Sequence, residues 1–319
     1  MLKESLMDII RKYTMLVAFI LFLIIYFFVS GWKAASLTNI LSIVLRTCVV
    51  TILGIGQSLV IIGGGIDLSI GAQIDHAIGL MTILYPFKDL LGGFTGIVVI
   101  TLIITTTFGF INGLIIYKTK LPPFIVTFAM MLILESLATL YSYYGVMGIW
   151  GFKPWLISLF SFLPSPTVSV PILFTFLILL AASIIARRTI YGYSIYAIGS
   201  SYKAATASGV PIGKVTLITY SLSGFMGGLA WFMYSLQVGY IFAYTAGTIY
   251  LLDSIAVPVI GGIDIMGGTG YVPMLFIGAL FVSTISNFII LMKINPLLEY
   301  AVKGIIIIVA LIFSRLLKK

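Results

Sequence analysis

Ionisable residues are few in this chain, and some of them lie beside glycine clusters inside long apolar stretches. Asp67 follows Gly63, Gly64 and Gly65 and is itself followed by Ser69. Consecutive glycines interrupt a helix, and Asp and Ser side chains can cap the helix that restarts after them. The spacing therefore predicts a broken helix capped at Asp67 and Ser69. A break of this kind within the membrane is typical of helices that line a transport pathway.

A related string occurs much later in the chain, where Gly261 and Gly262 precede Asp264. We expect it to use the same break and cap as the first string. The orientation predicted from the basic residues places both strings on the cytoplasmic side, and this placement does not fit an inverted repeat of five helices.

Asp75, His76 and Glu135 are the other ionisable groups that could carry chemistry within apolar stretches. A proton relay through a membrane uses a chain of several such groups, whereas adjacent residues on a helix point in different directions. A proton-coupled transporter built on these three residues is therefore the less favoured interpretation. Glu135 could instead pair with Arg46 or Lys303, which also lie in apolar stretches, or face an aqueous path.

Three uncharged polar residues are candidates for lining a path: Asn112, Thr127 and Asn287. Such groups within membrane spans more often form hydrogen bonds between helices, worth about 0.6 kcal/mol each. We expect that packing role to be the commoner one here as well.

The sequence does not contain the motifs of a nucleotide hydrolase or a metal enzyme. The stretch 209–214 (GVPIGK) ends like a phosphate-binding loop, but only three residues separate its glycines and Val215 follows the lysine, where Ser or Thr is required. With Cys48 as the one cysteine and His76 as the one histidine, a thiolate cluster or a paired-histidine site cannot form. We therefore expect no catalytic site, no metal site and no cofactor in this chain.

Composition places all of these residues in a membrane protein. Of 319 residues, 61% are hydrophobic and 8% are charged, and the mean hydropathy is +1.21. A soluble domain has about 25% charged residues, and disordered segments are poor in apolar residues, so both classes are excluded. Since one span takes about 20 residues, most of the chain is used for spans and 1–319 forms a single transmembrane domain. We predict an all-α fold with about ten transmembrane helices at 13–30, 39–62, 68–85, 94–117, 123–142, 169–186, 214–238, 250–261, 272–292 and 297–316.

The distribution of basic residues predicts the orientation. With both termini in the cytoplasm, twelve of the 18 Lys and Arg residues fall on the cytoplasmic side and four fall outside, as the positive-inside rule requires. We therefore attribute the net charge of +9 to the orientation of the chain in the membrane and not to nucleic-acid binding. Residues 187–214 form a long cytoplasmic loop with four basic groups and no acid. Its Ala-rich centre predicts a short helix, capped by Ser200 or Ser201 and terminated by Gly209.

Four motifs in this order resemble one family. They are 64–71 (GGIDLSIG), 121–127 (LPPFIVT), 196–199 (YAIG) with 204–205 (AA) and 208–209 (SG), and 253–256 (DSIA) with 259–262 (VIGG). Together they resemble the ribose-type sugar permeases of bacterial ABC importers, a family that includes galactose, xylose, arabinose and autoinducer-2 permeases, over about residues 38–315. Several positions depart from the family pattern, such as Ser201 and Thr206, where Asn and Arg are common. These departures suggest a divergent member, such as one half of a heterodimeric pair.

The resemblance implies a permease subunit that is not itself an enzyme and that works by alternating access. It implies import of a monosaccharide or related small polar solute, a cytoplasmic ABC ATPase that binds ATP and Mg, a second permease copy or paralogue, and an extracytoplasmic solute-binding protein. It implies a multi-pass location in the bacterial inner membrane. A nucleoside or branched-chain amino-acid ABC permease remains an alternative. The segment 187–214, here named the coupling loop, would dock on the ATPase through residues 199–210: Ser200, Ser201, Tyr202, Lys203, Ala204, Ala205, Ser208 and Gly209.

Overall fold

The computed structural model describes residues 19–143, 152–237, 247–295, 298–305 and 308, and every regular element within these ranges is helical. The helices are α1, Phe19–Lys33; α2, Leu37–Ile62; α3, Ser69–Leu84; α4, Gly93–Thr119; α5, Pro123–Tyr143; α6, Phe152–Leu159; α7, Pro166–Arg188; α8, Ile190–Ser200; α9, Tyr202–Ala207; α10, Ile212–Gln237; α11, Gly247–Ile260; α12, Leu275–Leu291; and α13, 298–305.

Six of these helices are long and apolar enough to cross a membrane: α2, α4, α5, α7, α10 and α12. Each of the ten predicted segments overlaps one helix, but α1, α3, α11 and α13 are shorter than a full span over the residues described. The ends of the first and last predicted segments, 13–18 and 309–316, lie outside the described residues. The structure therefore establishes an all-helical fold with six candidate spans and does not confirm ten.

Helix α2 lies at the centre of the molecule, and α7 lies at its edge. In the apolar windows of these helices, 56% of the residues of α2 are buried, against 22% for α7. The outer side chains of α7 are large and apolar, including Phe176, Leu177 and Leu180. This arrangement suits a bilayer, because lipid tails can cover an apolar face that water would not. The central position of α2 puts the break at its end within reach of several helices.

Glycines bring α4 and α10 into backbone contact. A Cβ atom added to Gly109 of α4 would lie 2.2 Å from the carbonyl oxygen of Tyr220, and one added to Gly224 of α10 would lie 2.3 Å from that of Thr105. Small residues at helix interfaces in membranes allow such close approach. The tight α4–α10 pair holds the polar side chains of both helices around the start of α3.

The two cations within apolar stretches pair with Asp253 and Glu299, and not with Glu135, which was one of the two alternatives left open for that carboxylate. The guanidinium of Arg46 lies 3.0 Å from Asp253 Oδ2 and 3.3 Å from Glu299 Oε1, and Lys303 contacts both carboxylates. The cluster has no net charge and joins α2, α11 and α13. Glu135 is half-buried on α5, and none of the ion pairs among the described residues includes it.

Candidate functional site

The break between α2 and α3 is capped by Asp67. Gly64 has a φ of +83°, a left-handed conformation that favours glycine. The Asp67 side chain is 1% exposed, and its Oδ1 atom accepts hydrogen bonds from the backbone N–H of Ser69 at 2.9 Å and from Ser69 Oγ at 2.6 Å. The carboxylate thus satisfies an N–H group at the start of α3 that has no helical partner.

Side chains from two other helices complete this cap. Ser223 of α10 donates to Asp67 Oδ2 at 2.6 Å, and the Asn112 amide of α4 donates to Ser69 Oγ at 2.9 Å. All four residues are buried. The start of α3 is therefore held against both members of the α4–α10 pair.

Thr127 of α5 holds the peptide chain of the break itself. Its Oγ1 atom accepts from the backbone N–H of Leu68 at 3.1 Å and lies 3.1 Å from the carbonyl oxygen of Ile66. Two of the predicted path-lining residues, Asn112 and Thr127, therefore both form hydrogen bonds at the break, Asn112 with Ser69 and Thr127 with the backbone.

Asn287 belongs to a different cluster. Its amide donates to Asn39 Oδ1 at 2.9 Å, and its carbonyl oxygen accepts from the Tyr26 hydroxyl at 2.8 Å. These bonds join α1, α2 and α12. The structure therefore does not bring the three predicted path-lining residues together.

The second glycine string repeats the local turn of the first, with a left-handed glycine and an aspartate that accepts from the N–H two residues later, but the expected cap of a restarting helix is not found there. Gly262 has a φ of +84°, but Asp264 Oδ1 accepts from the N–H of Met266 at 3.0 Å and so caps a turn inside a loop. The next long helix, α12, begins only at Leu275, after the short 3-10 turn Val272–Met274.

The two glycine strings meet each other and the end of α8. The N–H of Gly268 donates to the carbonyl oxygen of Ile62 at 2.9 Å. A Cβ atom added to Gly199 would lie 1.8 Å from that same oxygen, and one added to Gly267 would lie 3.0 Å from Gly64 Cα. We call Gly64, Gly199, Gly267 and Gly268 the glycine junction. The sequence alone could not predict this junction, because its glycines are far apart in the chain and no local pattern indicates that they are in contact.

Polar contacts bind the coupling loop to the segment that follows α11. The hydroxyl of Tyr196 donates to the carbonyl oxygen of Gly270 at 2.9 Å, and the Arg187 guanidinium lies 4.7 Å from the centre of the Tyr271 ring. Burial raises the pKa of Tyr196, with Arg187 opposing the shift, so this hydroxyl stays protonated and remains a donor at neutral pH.

The coupling loop contains two short helices, α8 and α9. Thr189 caps α8 by accepting from the N–H of Gly192 at 3.1 Å, and Ser201 caps α9 by accepting from the N–H of Ala204 at 3.3 Å. Ser201, and not Ser200, is therefore the cap of the predicted short helix. Gly209, with a φ of +76°, follows the end of α9.

Most of the predicted docking residues are exposed. Ser200, Ser201, Lys203, Ala204, Ser208 and Gly209 are exposed, and Tyr202 is 55% exposed. Ala205 is 3% exposed, which corrects its assignment as a contact residue. Its methyl group lies on the side of α9 that packs against α8. The exposed face of α9 is the part of the coupling loop that a partner can reach.

A cavity of about 390 Å³ lies between the coupling loop and the break. Gly64 and Gly65 form part of its wall on the side of the break, Tyr202 lines it from α9, and Lys120 lines it near the end of α4. The space allows α9 to shift relative to the end of α2.

Within the described part of the chain, His76 forms no hydrogen bond with Asp75 or Glu135, the other two residues of the proton-relay hypothesis. Asp75 Oδ2 accepts from the N–H of Gly247 at 3.0 Å. The ring of His76 packs against Phe108 at 5.0 Å between ring centres, and neither imidazole nitrogen has a hydrogen-bond partner within the described part of the chain. Glu135 is half-buried on α5. The described residues therefore do not show the continuous chain of hydrogen bonds that a relay would need.

Comparison with known proteins identifies the family. The family model described as the branched-chain amino acid transport system / permease component matches residues 39–311. The chain belongs to this family of permease components. The matched range contains α2 to α12, and so includes both glycine strings and the coupling loop.

Individual relatives are permeases named for sugar import. The chain is 32% identical to the ribose import permease protein of Bacillus subtilis, over 87% of this chain and 84% of that protein. It is 31% identical to the fructose import permease protein of Rhizobium meliloti, over 95% and 85%. It is also 31% identical to the galactose/methyl galactoside import permease protein of Escherichia coli, over 88% and 87%. No solved structure matches the chain.

Proposed function

We propose that this chain is the transmembrane permease subunit of an ATP-driven importer of a monosaccharide. The relatives named for ribose, fructose and galactose import support this substrate class. The observation that carries the mechanism is the contact between the coupling loop and the break, because the end of α8 touches the end of α2 at Gly199 and Ile62.

In the proposed mechanism, a separate cytoplasmic ATPase binds ATP with Mg and docks on the exposed face of α9. Closure of the ATPase moves α9 toward the neighbouring cavity. The close contact at Gly199 transmits this displacement to the end of α2, since neither backbone can move without the other. The flexible glycines of the break then let α2 and α3 change their relative angle, which opens the path to one side at a time.

The complete importer requires partners that this chain does not provide. We propose a second permease copy or a paralogue, an extracytoplasmic solute-binding protein that delivers the sugar, and an ATPase that binds ATP and Mg. The subunit would lie in the bacterial inner membrane with about ten membrane-crossing helices, and both termini would face the cytoplasm. The excess of basic residues on that side supports the orientation.

Three other transport functions are less well supported. The family model carries the name of branched-chain amino-acid transport, but the ribose, fructose and galactose/methyl galactoside permeases reported above are named for sugars. A nucleoside permease on the same scaffold is not the activity for which the three relatives reported above are named. The proton-coupled transporter would need Asp75, His76 and Glu135 to act together, and no hydrogen bond of His76 to either carboxylate among the described residues supports it.

Affinity purification tests the proposed partners. A tagged form of this chain, expressed from its native locus and solubilised in mild detergent, should retain a cytoplasmic ATPase and a second permease chain. Addition of ATP should lead to hydrolysis by the complex and not by the isolated permease. Recovery of the permease alone, under conditions that preserve other membrane complexes from the same cells, would contradict the proposed function.

A further inference from the structure

A buried polar seam runs between α3 and α4 beyond the capped break. On α3, Gln73 and His76 follow Ser69 at positions four and seven residues later, which places all three on one face of the helix. On α4, Thr101 and Asn112 are eleven residues apart and share a face as well. The amide of Asn112 donates to Ser69 Oγ, so the two faces meet. We call Gln73, His76, Thr101 and Asn112 the polar seam.

Every member of the polar seam is buried and has an unused hydrogen-bonding atom. Gln73, Thr101 and Asn112 are 0% exposed, and His76 is 1% exposed. Both amide atoms of Gln73, both nitrogens of His76, Thr101 Oγ1 and Asn112 Oδ1 lack a hydrogen-bond partner among the residues that the structure describes. Buried side-chain polar atoms nearly always have partners in folded proteins, so four such residues in one seam require an explanation.

The glycines of α10 close the polar seam. A Cβ atom added to Gly227 would lie 2.6 Å from Gln73 Cβ, and one added to Gly228 would lie 2.4 Å from Thr105 Oγ1. Helix α10 therefore packs directly over the seam. A modest movement of α10 away from α3 would expose the unused polar atoms, and α10 is also the helix that follows the coupling loop.

The groups in the polar seam match the chemistry of hydroxyl groups. A primary amide offers donors and an acceptor, an imidazole offers one of each, and a threonine hydroxyl can do either. The rings of Phe108 and Tyr141 lie 5.0 and 5.6 Å from the ring of His76. A few placed polar groups beside aromatic surface form the usual lining of a small-molecule site.

We propose that the polar seam is a hydroxyl-binding subsite, and that the transported sugar occupies it when α10 moves away from α3. This inference rests on the proposed function and adds to it a location for the solute within the subunit. Internal water can form the same hydrogen bonds as the hydroxyl groups of a sugar. Measurements of uptake and of thiol modification distinguish a bound sugar from bound water.

The first test measures uptake and stability together in the importer reconstituted with its ATPase and solute-binding protein. The probes are D-ribose, D-fructose and D-galactose. Gln73→Leu and His76→Leu should each lower the maximal rate of uptake about tenfold, the effect of losing one or two hydrogen bonds to the solute in transit. The midpoint of thermal unfolding should stay the same or rise, because an apolar side chain replaces an unpartnered polar one.

Thr82→Val on the same helix is the matched control, since the Thr82 hydroxyl donates only to the carbonyl oxygen of Ile78. It should change neither quantity. Unchanged uptake in the two seam variants would overturn the subsite. A fall in both uptake and unfolding midpoint would also overturn it, because it would show that the seam residues are structural. If the wild-type importer takes up none of the three sugars with ATP, the proposed function fails and not the seam alone.

The second test separates sugar from water. Cys48 is buried and is the one cysteine of the chain, so Cys48→Ala provides a background for Gln73→Cys. A small charged methanethiosulfonate should modify the thiol at position 73 during ATP turnover, and a saturating transported sugar should slow the modification. Absence of modification during turnover would overturn the opening of the seam. Modification at a rate that no sugar changes would indicate water alone and would overturn the assignment to the solute.

Discussion

At the scale of single residues, the Asp67 carboxylate determines how the break is built. Its two oxygens accept three hydrogen bonds, from the backbone and hydroxyl of Ser69 and from the hydroxyl of Ser223. These donors lie on α3 and α10, so one side chain joins two helices at a point where the backbone is interrupted. Its removal leaves buried donors without an acceptor.

Asp67→Ala should therefore lower the free energy of unfolding by about 1–3 kcal/mol, the cost of leaving buried polar groups unsatisfied. The measurement is thermal or denaturant unfolding of the purified subunit in detergent. Asp89→Ala is the matched control, because the Asp89 side chain is 97% exposed and its ion pair with Lys88 is a surface contact. Equal stability of the two variants would contradict the capping role.

Gly199 is the residue that most constrains the glycine junction. Gly199→Ala would put a methyl carbon 1.8 Å from the Ile62 carbonyl oxygen, so either α8 or the end of α2 must move. We expect sugar uptake to fall at least about tenfold while the ATPase of the complex continues to hydrolyse ATP, as in an uncoupled transporter. Gly304→Ala on α13 is the control, because an added Cβ there lies within 4 Å of no atom of the described residues outside its own turn of helix. Normal uptake by Gly199→Ala would show that this contact does not transmit motion.

At the scale of helices, the coupling loop presents one face of α9 and hides the other. Ala204 is exposed and Ala205 is 3% exposed. The same substitution made separately at each position therefore distinguishes an effect on ATPase docking from an effect on packing within the subunit. Ala204→Trp should reduce the ATPase recovered with the tagged permease several-fold and leave the unfolding midpoint unchanged. Ala205→Trp should lower the midpoint first, because a large ring cannot enter a site packed around a methyl group.

The two tryptophan variants are compared by quantitative blotting of the co-purified ATPase and by a thermal-shift assay on the same samples. Full recovery of the ATPase with Ala204→Trp would show that docking does not use this face of α9. In that case another surface of the coupling loop, or of the residues outside the described ranges, would have to carry the interaction.

Sequence reasoning located the helices better than it located their contacts. Long apolar runs and the glycines at their ends predict α2, α4 and α10 to within a few residues, because insertion in a membrane depends on local composition. The partners of Arg46 and Lys303 could not be predicted, because an ion pair depends on which helices are neighbours. The meeting of Gly199 with the end of α2 was missed for the same reason.

At the scale of the whole molecule, the ion cluster of Arg46, Asp253, Glu299 and Lys303 joins α13 to the helices that precede it. Two cations and two anions balance each other, and such a group is tolerated in the membrane only as a unit. Loss of one member leaves a buried charge without its partner, whereas replacement of a complete pair does not.

Asp253→Leu alone should therefore destabilise the subunit by about 3–5 kcal/mol, and the double variant Asp253→Leu with Arg46→Met should recover part of that loss. Chemical denaturation in mixed micelles provides the free energies of unfolding. If the double variant is no more stable than the single one, the cluster is not acting as coupled ion pairs.

The central claim is that ATP hydrolysis in a partner drives sugar through this chain by way of the coupling loop. The most direct measurement is uptake of labelled sugar into proteoliposomes that contain this permease with its ATPase and solute-binding protein, with ATP supplied at the ATPase face. We predict uptake of at least one of D-ribose, D-fructose and D-galactose that requires ATP, continues when an uncoupler removes the proton gradient, and is lost in Gly199→Ala. Uptake that proceeds without ATP and stops with the uncoupler would contradict the account.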